Sequence, residues 1–393
     1  PNLVETMTGF EPIPKKEHSL NNSRAAIREA ILGWDPNDGE DRWEDARLNA
    51  LAIPHFAYQF EHNLPYRRFC QGRGVTPENL TSYRQIPSVP TDVFKQVPLT
   101  VASPANITRT FRTSGTTLGQ RGEHHFEDLS IYAASLQGPF WRHLFPDRAQ
   151  TEFFILAPDS SNLPDSSLYY MFDELVGDKA TYFFSADENG NLTFDLESLL
   201  ANLERAQTNA TPVTLLGTAF GFMALFDGAP ERDFSLAPGS RLMETGGFKG
   251  KSREVSRETL YAMFHDRLGI PRTHCVSEYS MTELSSQAYT PNLRLHTLGE
   301  SPTTAPLFVA PPWARIEVVD PRSLQPLDEP GAVGLVRWFD LANTESVMMV
   351  QTSDRGTLDA KGRLTLLGRA PDAELRGCSL AIEEITGASD GSR

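Results

Sequence analysis

Apolar residues fall at helical spacing over residues 24–34 and 41–63, and Pro54 predicts a break in the second stretch. The run Ile86-Pro87-Ser88-Val89-Pro90-Thr91-Asp92-Val93-Phe94-Lys95 is too rich in proline for a long helix. Beyond residue 105 the pattern changes. Short apolar runs at 153–156, 181–184, 213–216 and 274–276 read as buried strands separated by helical stretches. Strands spaced by helices predict βα units and a largely parallel sheet. Ligands of such sheets sit beyond the carboxyl ends of the strands. The last two runs lead into Gly- or Ser-rich segments, expected to be loops. From about residue 305 the texture changes again. Residues 315–319, 333–339, 347–352 and 363–367 are β-rich with no helical spacer. The expected organisation is a mainly helical N-terminal region of the core at 1–104, the α/β part of the core at 105–304, a β-rich subdomain at 305–368, and a hinge with a short C-terminal tail at 369–393.

Composition narrows the function. With 39% apolar and 22% charged residues, the 393-residue chain has a globular profile. Its 51 acidic and 36 basic residues give a net charge of −15. That charge repels phosphate backbones and anionic lipid, so neither nucleic acid nor a membrane surface is expected as a partner. Cys70, Cys275 and Cys378 are far apart and odd in number, which implies no disulfide framework. No CxxC or HExxH occurs, and no apolar run is long enough to span a bilayer. A cytoplasmic location is the expectation.

The richest candidate chemistry lies at Thr113-Ser114-Gly115-Thr116-Thr117. Glycine lets successive backbone amides turn inward around an anion, and the neighbouring hydroxyls add donors. Arg112 or Arg121 supplies charge nearby. The same composition also suits a flexible surface loop. A rival lies at Thr245-Gly246-Gly247-Phe248-Lys249-Gly250-Lys251-Ser252, but a P-loop requires glycine where Thr245 stands.

Four motifs then resemble the adenylate-forming superfamily, which includes acyl-CoA synthetases and phenylacetate–CoA ligases. They are Thr113–Thr117, Glu278-Tyr279-Ser280-Met281-Thr282-Glu283, Thr352-Ser353-Asp354 and Gly368-Arg369, in the family's order across about 260 residues. Pro65-Tyr66, residues 90–95, Glu244 to Gly250, Met281 to Gln287, and Arg376-Gly377-Cys378-Ser379-Leu380 are similar to the acyl-protein synthetases of bacterial bioluminescence. This resemblance implies an α/β adenylate-forming core with a β-rich subdomain and a truncated C-terminal region. It implies ATP and Mg²⁺ as cofactors, a carboxylic acid substrate with fatty acid favoured, and a protein or thiol as acyl acceptor.

It also implies roles. Thr113, Ser114, Gly115, Thr116 and Thr117 would hold the phosphates, with Thr116 near the metal. Gly246, Gly247 and Glu278 would line the nucleotide site, and Tyr279 would stack on the adenine. Thr282 would contact the α-phosphate, and Glu283 would ligate Mg²⁺. Asp354 would accept the ribose hydroxyls, and Arg369 would reach ribose or phosphate. Cys378 matches a C-terminal cysteine that takes the acyl group as a thioester, with Arg376 close by to favour the thiolate; a small packing residue is the alternative. Ser280 and Ser353 replace glycines of the superfamily pattern, and Leu118 interrupts the phosphate loop. The chain has about 25 residues after Arg369, so the lysine of a full C-terminal domain is missing from it. Lys249, Lys251, Arg121 or Arg376 are candidates to replace that charge.

Phe220, Gly221 and Phe222 read either as an acyl-pocket wall or as a glycine-rich turn with core aromatics. His124 and His125, adjacent on a strand, would face opposite ways, which makes joint metal ligation awkward. The alternatives are an aryl- or acyl-CoA ligase, a non-catalytic nucleotide-binding module, and a phosphohydrolase using Lys251 and Ser252.

Overall fold

The computed structural model describes residues 15–114, 120–187, 191–246, 255–303 and 306–370, with side chains from residue 22 onward. The expected parallel sheet is present. Its strands, in spatial order, are Ala288–Tyr289, Cys275–Tyr279, Arg241–Thr245, Val213–Thr218, Glu152–Leu156 and Ala180–Tyr182. All neighbours run parallel except the Ala288–Tyr289 edge.

Alternation along these strands sends their side chains into two separate cores. Phe154, Leu156, Leu215, Leu242 and Cys275 join one apolar cluster with Leu203, Phe222 and Phe264. Phe153, Ile155, Leu216, Met243 and Val276 join another with Leu136, Phe140 and Phe172. The apolar runs are continuous because helices cover both faces of the sheet.

A second sheet, five-stranded among the described residues, contains Ala314–Val319, Gly334–Asp340, Met349–Leu358 and Leu364–Arg369. It also takes in Val89–Pro90, which pairs in parallel with the Met349–Leu358 strand. The helices Lys15–Leu32, Asp45–His62 and Leu64–Gly72 sit in the N-terminal region. Their apolar residues share one core with the second sheet: Ile27, Phe56 and Phe69 belong to the same cluster as Trp313, Trp338 and Val350. Segments 200 or more residues apart in sequence therefore form one packing unit.

Three expectations change. The helix is not broken at Pro54 but runs through it from Asp45 to His62. Tertiary bonds hold its second half: His55 Nε2 meets the Thr344 carbonyl at 3.1 Å, and Gln59 Nε2 donates to the Asn343 carbonyl at 2.8 Å. Packing thus outweighs a proline cost of about 3 kcal/mol. The run at 181–184 divides, with Ala180–Tyr182 in the main sheet and Phe184–Ala186 pairing with Leu192–Phe194 in a hairpin.

The segment after Val213–Thr218 is not a loop. Thr218 Oγ1 caps the helix Ala219–Gly228 by accepting from the Gly221 amide at 3.0 Å. Gly221 lets this helix lie against the sheet, since a Cβ there would stand 2.5 Å from the Leu156 carbonyl oxygen. That contact is with backbone, which cannot swing aside. Gly221→Ala should therefore destabilise the protein by about 1–3 kcal/mol, read from the urea unfolding midpoint at unchanged slope.

Candidate functional site

The carboxyl ends of the parallel strands define one rim of the molecule. Thr218, Thr245 and Tyr279 all end strands there. Tyr279 reaches from this rim to the second sheet, and its hydroxyl donates to Asp354 Oδ2 at 2.8 Å. Its ring is 8% exposed and packs against Phe308 and Trp338, with centroids 5.7 and 5.8 Å away. Burial pushes the phenol well above its ordinary pKa, and the Asp354 carboxylate pushes it further up. Tyr279 therefore stays a neutral donor.

Asp354 stands opposite Arg369 in the antiparallel register of the second sheet. Arg369 Nε approaches Asp354 Oδ1 at 4.0 Å. Gly368 has φ +95°, a backbone conformation open to glycine but strained for other residues, and this fits the Gly-Arg pair. The Asp354 amide donates to Thr352 Oγ1 at 3.1 Å, and the Thr352 hydroxyl donates to the Val336 carbonyl at 2.7 Å. Tyr279, Thr352, Asp354 and Arg369, distant in sequence, thus meet in one place.

The neighbouring strand ends carry two buried carboxyls. Glu278 accepts from the Thr245 hydroxyl, and Glu244 accepts from the Ser277 hydroxyl and from Tyr261 at 3.3 Å. Register sets this interleaving, because Glu244 pairs with Ser277 and Thr245 with Glu278. Burial pushes Glu278 up to about 7, and repulsion from Glu244 adds to the rise. Burial likewise raises Glu244, opposed by Arg257, whose Nε lies 3.9 Å from it.

Thr282 and Glu283 follow on the loop after Tyr279, and Glu283 is buried at 6% exposure. Their carbonyls are held from other elements. His124 Nδ1 meets the Thr282 carbonyl at 2.8 Å, and Asn343 Nδ2 donates to the Glu283 carbonyl at 2.8 Å. Asp340 then accepts from the Ser285 amide at 2.8 Å and the Ser286 hydroxyl at 2.6 Å.

The candidate phosphate loop joins two paired strands, Arg109–Arg112 and Glu123–Phe126. Thr113 and Ser114 open it; Gly115, Thr116 and Thr117 lie outside the described residues. Thr113 closes its base, donating by its amide to the Gly122 carbonyl and accepting from the Gly122 amide, both at 2.9 Å. Arg121 folds back on this stem, with Nε 2.6 Å from the Thr113 carbonyl and Nη1 2.6 Å from Asp165. Arg112 bonds Glu123 at 2.9 Å. Both candidate arginines are therefore engaged in ion pairs of the stem.

Gly246, at φ +76°, leads from the strand Arg241–Thr245 towards the second glycine-rich segment. Gly247, Lys249, Lys251, Ser252, Arg376 and Cys378 lie outside the described residues. Gly221 and Phe222 are core residues, Phe222 meeting Phe264 edge-on at 4.8 Å, while Phe220 is half-buried. His124 and His125 do face opposite ways. His125 Nδ1 lies 2.9 Å from Thr110 Oγ1, whereas His124 turns towards Thr282.

Sequence reasoning assigned no role to Glu244, Asp340 or Asn343. Glu244 left a signal, an acid beside Leu242 and Met243 in an apolar strand. Asn343 left none that separates it from any polar turn residue.

Comparison with known proteins agrees with this fold. A solved 2-hydroxyisobutyryl-CoA ligase, in complex with its acyl-adenylate and CoA, superposes with a TM-score of 0.59 at 18% identity, covering 94% of this chain and 74% of that one. The architecture is that of the adenylate-forming ligases. The family described as acyl-protein synthetase, LuxE, matches residues 16–386, and the chain belongs to it. It is an AMP-forming acyl ligase, which carries out ATP-dependent acyl activation and acyl transfer. A long-chain-fatty-acid–luciferin-component ligase of Aliivibrio fischeri is 23% identical over 351 residues, covering 84% of this chain and 86% of that protein. Its counterpart from Vibrio harveyi is 22% identical over 355 residues, covering 86% and 87%. Among the described residues no helix is long and apolar enough to cross a membrane.

Glu278 gives this site a pH signature. The folded carboxyl holds its proton up to about pH 7, against an ordinary value of 4.5. The native state therefore binds more protons than the unfolded chain across this window, and stability falls as pH rises through it. Glu278→Gln carries no such proton. Its stability relative to the wild type should rise by about 2–3 kcal/mol between about pH 5 and pH 8, measured by denaturant titration at both pH values.

Proposed function

We propose that the protein activates a long-chain fatty acid as its acyl-adenylate at the rim joining the two sheets, then passes the acyl group to a thiol. The observation that carries this reading is the meeting of Tyr279, Asp354 and Arg369 beside the Thr282–Glu283 loop. The substrate carboxylate attacks the α-phosphorus of ATP, the acyl–phosphate bond forms, and the bond to pyrophosphate breaks. An acceptor thiolate then attacks the acyl carbonyl and AMP leaves.

The chain's own residues align and neutralise charge, and no protein nucleophile is needed in the first half-reaction. Asp354, an acceptor held in place by the Tyr279 hydroxyl, suits a ribose diol that donates two hydrogen bonds. Arg369 supplies positive charge beside it. Thr113 to Thr117 bind the phosphates, and Thr282 contacts the α-phosphate.

Mg²⁺ fits this donor set. It is commonly held by one or two carboxylates together with substrate phosphate oxygens. Among the described residues no group of three potential metal ligands stands ready to hold a metal ion by itself. Glu283 is the carboxylate for it, with Thr116 as a further oxygen. When bound, the ion would neutralise charge on the phosphates. The names of the curated relatives, long-chain-fatty-acid–luciferin-component ligases, support a fatty acid as the substrate. A thiol acceptor follows from Cys378 in the similar Arg-Gly-Cys-Ser segment, and a partner protein would deliver or receive the acyl group. We place the reaction in the cytoplasm, where ATP is supplied.

The test is ATP–pyrophosphate exchange across fatty, aromatic and amino acids. Fatty acids should support exchange, while Glu283→Gln and Asp354→Ala abolish it and leave the fold intact by circular dichroism, Asp354→Ala melting lower because the buried Tyr279 hydroxyl loses its acceptor. Full exchange in either variant refutes that residue's assignment. Cys378→Ser should retain exchange and lose the covalent acyl label from radioactive fatty acid. An undiminished label would assign the acceptor elsewhere.

A further inference from the structure

We propose that His124, together with Asn343, is a positioning residue that sets the direction of the Glu283 side chain through the backbone. The role of Glu283 rests on the function proposed above; the positioning itself rests on geometry.

His124 lies on the second strand of the phosphate-loop stem, fully buried. Its Nδ1 is 2.8 Å from the Thr282 carbonyl oxygen. A carbonyl only accepts, so Nδ1 carries the proton. Burial holds the ring's pKa down to about 4, so it is neutral near pH 7 and Nε2 is bare. Nε2 is sealed from solvent, with the Asn343 side chain beside the ring and no hydrogen bond of ordinary geometry. The ring is held by Phe126 at 4.2 Å and Phe94 at 6.3 Å between centroids.

Asn343 comes from the turn after the strand Gly334–Asp340, and its Nδ2 donates to the next carbonyl, that of Glu283, at 2.8 Å. The two acceptors belong to the peptide planes on either side of the Glu283 Cα. Peptide planes are rigid, so fixing both fixes φ and ψ at residue 283 and hence the direction of its Cβ. The first plane is fixed from the phosphate-loop stem. The second is fixed from the sheet that carries Asp354. Asn343 is held in turn by Gln59, which donates to its carbonyl at 2.8 Å. The Cα–Cβ bond of Glu283 thereby keeps one direction relative to the phosphate-loop stem and to Asp354, which narrows the positions its carboxylate can reach. A displacement of about 1 Å in such a group costs up to ~10²-fold in rate.

The substitutions separate the hydrogen bond from packing. His124→Phe keeps an aromatic ring and removes the donor. His124→Asn removes the ring and returns an amide donor near the Nδ1 position. Asn343→Asp removes the donor at the second carbonyl. On the full chain, melting temperature, hydrogen–deuterium exchange of the Leu284 and Ser285 amides, ATP affinity by calorimetry, and pyrophosphate-exchange kinetics are measured together.

His124→Phe and Asn343→Asp should lower kcat by about 10–10²-fold, speed amide exchange at 284–285, and change ATP affinity by less than about threefold. His124→Asn should recover most of both kcat and amide protection. Wild-type kinetics in His124→Phe, or equal loss in His124→Phe and His124→Asn, overturns the proposal. If His124→Phe does not fold, the contrast between His124→Asn and Asn343→Asp decides it by the same criteria. If the wild type exchanges no pyrophosphate with any acid, the functional reading fails, and amide protection at 284–285 still decides the positioning claim.

Discussion

The site depends on one hydrogen bond that crosses between two sheets. Tyr279 ends a parallel strand of the first sheet, and Asp354 lies mid-strand in the second. The phenol is buried, so it cannot turn to water for another partner and stays on the carboxylate. Phe308 and Trp338 fill the space around the ring, so the bond comes with an apolar contact that is costly to open. Through this junction the carboxyl ends of the parallel strands face Asp354 and Arg369.

Around the junction the protein buries carboxyls that a merely structural design would avoid. Glu244 and Glu278 sit on adjacent strands, satisfied in part by Ser277, Thr245 and Tyr261. Burying an acid is costly unless it is protonated or hydrogen-bonded, and this pair uses both remedies. Asp340 is treated in the same way by Ser285 and Ser286. These polar bonds fix loops that apolar packing alone would leave free to shift. Perturbed acids gathered at a strand rim are a common property of catalytic clefts.

The N-terminal helices take part in the same arrangement. They read from sequence as a mainly helical N-terminal region of the core, and they pack on the β-rich sheet, with Gln59 reaching the turn at Asn343. A change in a helix more than 200 residues away in sequence can therefore reach the loop bearing Glu283.

Much was legible beforehand, for identifiable reasons. Buried strands appear as apolar runs because both faces of the main sheet are covered, and helix spacing shows where one face is. Motif order marked Tyr279, Asp354 and Arg369 as candidates, and the fold brings these three together. What sequence determined was the set of elements and the inventory of donors, acceptors and charges. Strand register, the continuity of the helix through Pro54, the burial of Glu278 and the pinning of Thr282 by His124 were decided by tertiary structure. The physical reason is that these depend on which distant groups become neighbours once water is excluded, and a linear pattern carries no record of a partner 150 residues away.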